Sequence, residues 1–257
     1  MMFRLQKIIL AVCVLLIGGI NSFAAQPSTQ KSAAVLQFHE AGIAYKAEDY
    51  KKAIELYEGI IQSGWMSGPI YYNLGNSYFK DKQLGKAILN YERARQLMPR
   101  DADLIANNKY AVSQIPNYSL PMQSVFQRIF DRYLNFMTVD EMTWVVFYCF
   151  LITGVIFCLG LFLRWSLKVR LWLVTLNCCL LFVHTFFLGI QLTHAQNDAV
   201  IIEKTSAKFE PIDDATTYFD LTEGWKVQIL KKETGWVKVK RLDRKIGWVK
   251  TEAVESI

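Results

Sequence analysis

The chain has 257 residues, 52% of them hydrophobic, and a formal net charge of +6. Residues 25–142 carry 13 Lys/Arg against 12 Asp/Glu, and residues 198–257 carry 11 against 11, so the excess is almost wholly Arg4, Lys7, Arg164, Lys168 and Arg170 beside apolar runs. Cations placed there serve membrane targeting and retention, whereas a nucleic-acid protein gathers them on one folded face; nucleic-acid binding is excluded on that ground.

Arg4 and Lys7 precede the apolar run Ile8 to Ile17 and the small residues Ser22, Ala24 and Ala25. A basic start, a short apolar core and a small-x-small exit predict a secretory signal peptide over 1–24. Cys13 lies inside that run, and Cys149, Cys158, Cys178 and Cys179 lie in later ones. The water-soluble segments therefore have no disulfide, and without Cys–x–x–Cys or Cys/His spacing no metal or cofactor is expected.

Residues 33–115 repeat with a 34-residue period, as 34–67, 68–101 and a cap helix at 102–115. In the second copy Tyr71, Leu74, Gly75, Tyr78, Ala87, Tyr91, Ala94 and Pro99 occupy the tetratricopeptide positions in order. Gly75 and Ala87 are small where two antiparallel helices cross, Tyr78 and Tyr91 fill the space beside them, and Pro99 ends the second helix. The first copy is degenerate, with Ala41 in place of the glycine. Solenoids of this kind bind peptides or helices on the concave face of their first helices, where Phe38, Tyr45, Tyr72, Asn76, Phe79, Lys80 and Tyr110 fall.

Over 121–137, Phe126, Ile129, Phe130, Tyr133, Leu134 and Met137 form one helical stripe opposite Gln127, Arg128, Asp131 and Arg132. An interfacial helix on the outer leaflet fits this pattern, and packing of the stripe on the repeats is the alternative. Two spans are expected at 143–163 and 171–191, joined by a cytoplasmic loop at 164–170, with a capping box at Thr138 and Glu141 before the first. A cleaved signal and the basic loop both orient the hairpin with its two soluble ends outside. Asn177, His184 and Gln191 recur every seven residues on the second span as a polar stripe, for which Cys149, Thr153 and Gly160 offer a small-residue seat.

From Ala199 to Ile257 the period changes to two, with turns near Gly224, Gly235 and Leu242–Lys245, predicting a small all-β barrel of five or six strands. Gly235–Trp236 and Gly247–Trp248–Val249, twelve residues apart, resemble bacterial SH3-like domains. Phe209, Tyr218, Trp236 and Trp248 are its candidate surface for a peptide or a glycan strand, although small domains usually bury most of their tryptophans.

The fold class expected is thus a multidomain membrane protein: an α-helical TPR solenoid of two full repeats plus a cap helix, a two-helix transmembrane hairpin and an SH3-like barrel. This order of parts, with Tyr-Tyr-Asn-Leu-Gly-Asn at 71–76 and Ile-Leu-Asn-Tyr-Glu-Arg-Ala at 88–94, resembles the tetratricopeptide (BatE-type) members of the Bat aerotolerance family. The resemblance implies partnership with Bat membrane proteins carrying von Willebrand A domains, an inner-membrane location with both soluble domains periplasmic, and a role in envelope maintenance or oxidative-stress tolerance. Peptidoglycan is the alternative partner, through the SH3-like domain. No catalytic constellation is visible: His39–Glu40 lacks the second histidine of a zinc protease, and Ser67 is one residue off a nucleophile elbow. An enzyme is not expected.

Overall fold

A computed structural model describes residues 28–116, 118 and 124–257; the expected signal peptide lies outside the described residues. Five helices come first: α1 (Ser28–Lys46), α2 (Tyr50–Gln62), α3 (Gly68–Lys80), α4 (Leu84–Leu97) and α5 (Ala102–Ser113). They pack as antiparallel neighbours in series, and α3 also touches α1 and α5. Asp49 and Asp101 accept from the backbone N–H three residues on and start α2 and α5, while Pro69 opens α3. Space at the α3–α4 crossing is set by glycine: a Cβ on Gly75 would meet the Tyr91 ring at 2.7 Å and the Ala87 carbonyl at 3.2 Å.

Helix α6 (Val125–Leu134) and the long helices α7 (Val139–Phe162) and α8 (Leu167–Asn197) follow. Thr138 and Glu141 make the reciprocal capping box, and a matching box at Ser124 and Gln127 starts α6. The two long helices are apolar and long enough to cross a bilayer. Aromatic residues sit at both ends of the pair, Trp144, Phe147 and Tyr148 in mutual ring contact near one end and Trp165 and Trp172 near the other. The connection is tighter than the loop at 164–170: α8 begins at Leu167, so Lys168 and Arg170 are helical. The Arg170 stem lies against Gly160, where an added Cβ would be 2.6 Å away.

The C-terminal part is one antiparallel sheet of seven strands, not five or six. β1 (Asp198–Ile201), β2 (Thr205–Lys208), β3 (Thr217–Leu221), β4 (Lys226–Glu233), β5 (Trp236–Arg241), β6 (Ile246–Lys250) and β7 (Val254–Ser256) lie in the order β3-β2-β6-β5-β4-β1-β7. β1 follows α8 without a loop, and the last strand closes on it, with Val200 opposite Glu255. Gly224 and Gly235 turn the chain with φ of 88° and 77°, a region that penalises other residues. Val227, Ile229, Val237, Val239 and Val249 alternate into the core with Ala207, Phe219 and Leu221.

The repeats and the sheet share one buried core. A Cβ on Gly85 in α4 would stand 2.8 Å from the Ile201 carbonyl and 2.9 Å from Ile202 Cα, so backbone meets backbone there. Gly224 is roofed by the side chains of Ile88 and Ile115. Trp225 lies between the Tyr118 ring, 4.8 Å away, and the Arg241 guanidinium at 4.7 Å.

Candidate partner-binding groove

The residues assigned to the concave face fall on α1, α3 and α5, and two clusters join them across helices. At the first, Asn76 Oδ1 accepts from the Tyr91 hydroxyl at 2.7 Å and from Asn107 Nδ2 at 3.1 Å. Asn107 Nδ2 also donates to the Tyr72 hydroxyl at 2.9 Å. Burial raises the Tyr91 pKa, reinforced by Tyr72 and Tyr45, so its hydroxyl stays a donor. With these bonds made, Asn76 Nδ2 is left as a donor and Asn107 Oδ1 as an acceptor without a partner among the described residues, on two half-buried side chains joined to each other by the 3.1 Å bond. At the second cluster, Phe79 packs on Tyr110 with ring centroids 5.7 Å apart, Tyr110 being well exposed. Lys80 is exposed at the end of α3. The α1 residues are set differently: Phe38 packs on Tyr57 and Tyr45 on Tyr50, inside the first helical pair. Asn107, on the cap helix, was not singled out by the repeat pattern; its place one turn before Tyr110 is the signal that points to it.

The opposite side of α4 carries the charge chemistry. Glu92, 5% exposed, accepts from Lys226 Nζ at 2.8 Å, Arg95 Nη2 at 2.7 Å and Asn108 Nδ2 at 2.8 Å. Burial alone would raise its pKa; the Lys226 ammonium and the Arg95 guanidinium outweigh that and bring it down to about 2. One turn on, Arg93 bonds the Glu255 carboxylate at 2.8 Å and the Ser256 carbonyl at 2.7 Å. Glu223 accepts from the Gly85 N–H at 3.2 Å. The sheet thus packs on α4 through Gly85, Glu92 and Arg93, while Tyr72, Asn76 and Asn107 are half-buried and bond within the helices.

A second junction ties the repeats to the long helices. Arg100 makes a bidentate pair with Glu141 at 2.5 and 2.9 Å and also donates to the Phe136 carbonyl. Gln191 Nε2 donates to the Met137 carbonyl at 2.7 Å, and Arg95 to Asn135 at 3.2 Å. Arg95, Asn135, Met137 and Gln191 border a cavity of about 110 Å³ between α4, α6, α8 and β1. The three stripe residues separate: Asn177 Nδ2 donates to Cys149 O at 2.7 Å and Thr153 Oγ1 at 2.5 Å, Gln191 goes to the α6–α7 turn, and His184 Nδ1 donates to the Leu180 carbonyl at 2.8 Å under the Tyr133 ring. The α6 stripe takes neither of the two expected seats completely. Phe130 and Tyr133 pack on Phe187 of α8, while Val125, Phe126 and Ile129 stay exposed.

On the sheet the four candidate surface residues divide. Trp236 and Trp248 are each 7% exposed, with Lys250 and Lys238 over their rings. Phe209 and Tyr218 form an open pair with centroids 4.6 Å apart. No cluster of three or more metal-ligating side chains occurs among the described residues.

No curated protein matches the chain. The tetratricopeptide repeat family matches residues 68–101, the span of α3, α4 and the turn beyond, so this chain carries a tetratricopeptide repeat, a module that engages protein partners.

Proposed function

We propose that the chain is a non-enzymatic membrane adaptor that holds a protein partner in the α1–α3–α5 groove, on the non-cytoplasmic side of the membrane. The observation that carries this reading is the pre-set amide pair, Asn76 Nδ2 and Asn107 Oδ1, beside the open Phe79–Tyr110 face. Together they complement a peptide group and its apolar side chain, and the bonds to Tyr91 and Tyr72 fix them before binding. A hairpin with both soluble modules on one side is supported by the buried core that the repeats and the sheet share. Lys168, Arg170 and Arg164 at the far tip suit the cytoplasmic face. The exposed apolar half of α6, seated on Phe187 beside the span, suits the outer leaflet.

In this reading the partners are membrane proteins of the Bat type with von Willebrand A domains, and the setting is envelope maintenance or oxidative-stress tolerance; the order of modules and the 71–76 and 88–94 segments support it. The peptidoglycan alternative is favoured by less, since two of its four aromatic residues are capped by lysine. Site-specific photo-crosslinking from position 72 or 110 in intact cells tests the proposal. Capture of one discrete protein, lost in Asn76→Ala, is the expected result. Capture unchanged by Asn76→Ala and Phe79→Ala together would remove the groove from the account.

A further inference from the structure

The register of β1 against β4 fixes where the β4–β5 hairpin points. Asp198, the first residue of β1, sits opposite Gln228, so β4 overhangs the start of β1 by the five residues Ile229 to Glu233. β1 continues α8 directly and β4 touches α8, so the overhang lies on the side from which α8 arrives. On the expected geometry of about 3.3 Å per strand residue, five residues reach roughly 16 Å, about the rise of eleven helical residues. That brings the hairpin to the level of Phe187–Gln191, where α6 packs and where the apolar run of α8 ends.

The overhang is basic. Lys231 and Lys232 are exposed on β4, Lys238 stands opposite Lys231 on β5, and Lys250 stands opposite Trp236 on β6. Like charges directly across a ladder repel, so this pairing costs stability and gains nothing within the fold. Two carboxylates meet the group: Glu233 pairs with Lys231 at 2.7 Å and Asp213 with Lys250 at 2.6 Å. Lys232 has no carboxylate partner among the described residues, and Lys238 has only the Trp248 ring. Leu230, at the register shift beside them, is exposed.

We propose that the β4–β5 hairpin is a membrane-surface contact that takes the phosphate headgroups of anionic phospholipids through Lys231, Lys232 and Lys238. It rests on the membrane reading of α7 and α8. Charge complementarity supplies the attraction, the overhang supplies the position, and Leu230 supplies a small apolar foot at the headgroup boundary. Bound there, the hairpin holds the sheet, and the repeats packed on it, at a fixed tilt above the bilayer.

The test uses the full chain with its native cysteines replaced, reconstituted into vesicles of phosphatidylcholine alone or with phosphatidylglycerol. An environment-sensitive fluorophore is placed at Thr234→Cys, and a second sample carries it at Phe157→Cys. A blue shift at position 234 with phosphatidylglycerol, absent with phosphatidylcholine, is the expected result. It should be at least halved by K231Q/K232Q/K238Q and by 1 M salt, where the screening length falls to about 3 Å. Identical spectra in the two lipids would overturn the proposal. A label at position 157 that remains water-exposed would instead overturn the membrane reading. The intrinsic lipid comparison needs no variant, so a misfolded triple mutant does not decide the outcome.

Discussion

Replacing Lys226 by methionine tests the junction between repeats and sheet at its most charged point. Methionine keeps most of the stem volume and removes the ammonium that Glu92 accepts from at 2.8 Å. Glu92 is then left buried with Arg95 and Asn108 alone. Removing one partner of a buried pair costs about 3–5 kcal/mol, and the retained Arg95 brings the expectation to the lower end, about 3 kcal/mol. Linkage gives a similar size: the Glu92 pKa falls from 4.5 in the unfolded chain to about 2 in the fold, which at about 1.4 kcal/mol per unit is again about 3 kcal/mol. Because the folded pKa is the lower one, this stability is complete above pH 4.5 and is lost as pH falls from there through about 2. The assay is unfolding of the detergent-solubilised full chain, followed by pulse proteolysis of the repeat–sheet unit at pH 7 and at steps down to pH 3. Lys226→Met should lower the midpoint at pH 7 by about 6–12 °C, on the scale of about 2–4 °C per kcal/mol for a unit of this size. It should also flatten the acid dependence, and Glu92→Leu added to it should recover part of the loss. A variant with an unchanged midpoint and an unchanged acid limb would refute the reasoning, because the carboxylate would not depend on this cation.

Gly85→Val should destabilise the same junction by about 1–3 kcal/mol through overpacking against the Ile201–Ile202 backbone, read as faster protease cleavage between the repeats and α6. Arg100→Ala should leave the unfolding midpoint nearly unchanged, since its pair with Glu141 is solvated on both sides, and equilibrium unfolding measures it. Asn177→Leu removes two interhelical bonds between α8 and α7 and should cost about 0.6–2 kcal/mol in a hairpin-separation assay in bicelles.

Local chemistry was legible in the residues, and long-range closure was not. Gly75, Ala87 and Tyr91 announce a helix crossing because size alone decides who fits there, and the structure puts the three in contact. Thr138 and Glu141 announce a helix start because both bonds of the box are made within three residues. The extra strands were hidden for a physical reason. β1 was not among them: Ala199, Val200 and Ile201 are all fully buried, covered by the sheet core and by α4, and their apolar run marks the strand. β7 is three residues long and exists through its pairing with β1, more than fifty positions earlier. Trp225 is buried against Tyr118, which precedes the two long helices in the chain, so no local pattern pairs the two. In the groove, the repeat pattern pointed to Asn76 and Tyr72, but Asn107 belongs to a helix that carries no repeat signature.

Arg93 and Glu255 meet across the repeat–sheet junction. The most direct measurement places cysteines at these two positions in an otherwise cysteine-free chain and adds a short, membrane-impermeant bis-maleimide to intact spheroplasts. An internally crosslinked chain, detected by its altered mobility after cleavage between the modules, is the predicted result. Crosslinking that needs lysed cells would contradict the orientation, and none under either condition would contradict the single outer body on which the account is built.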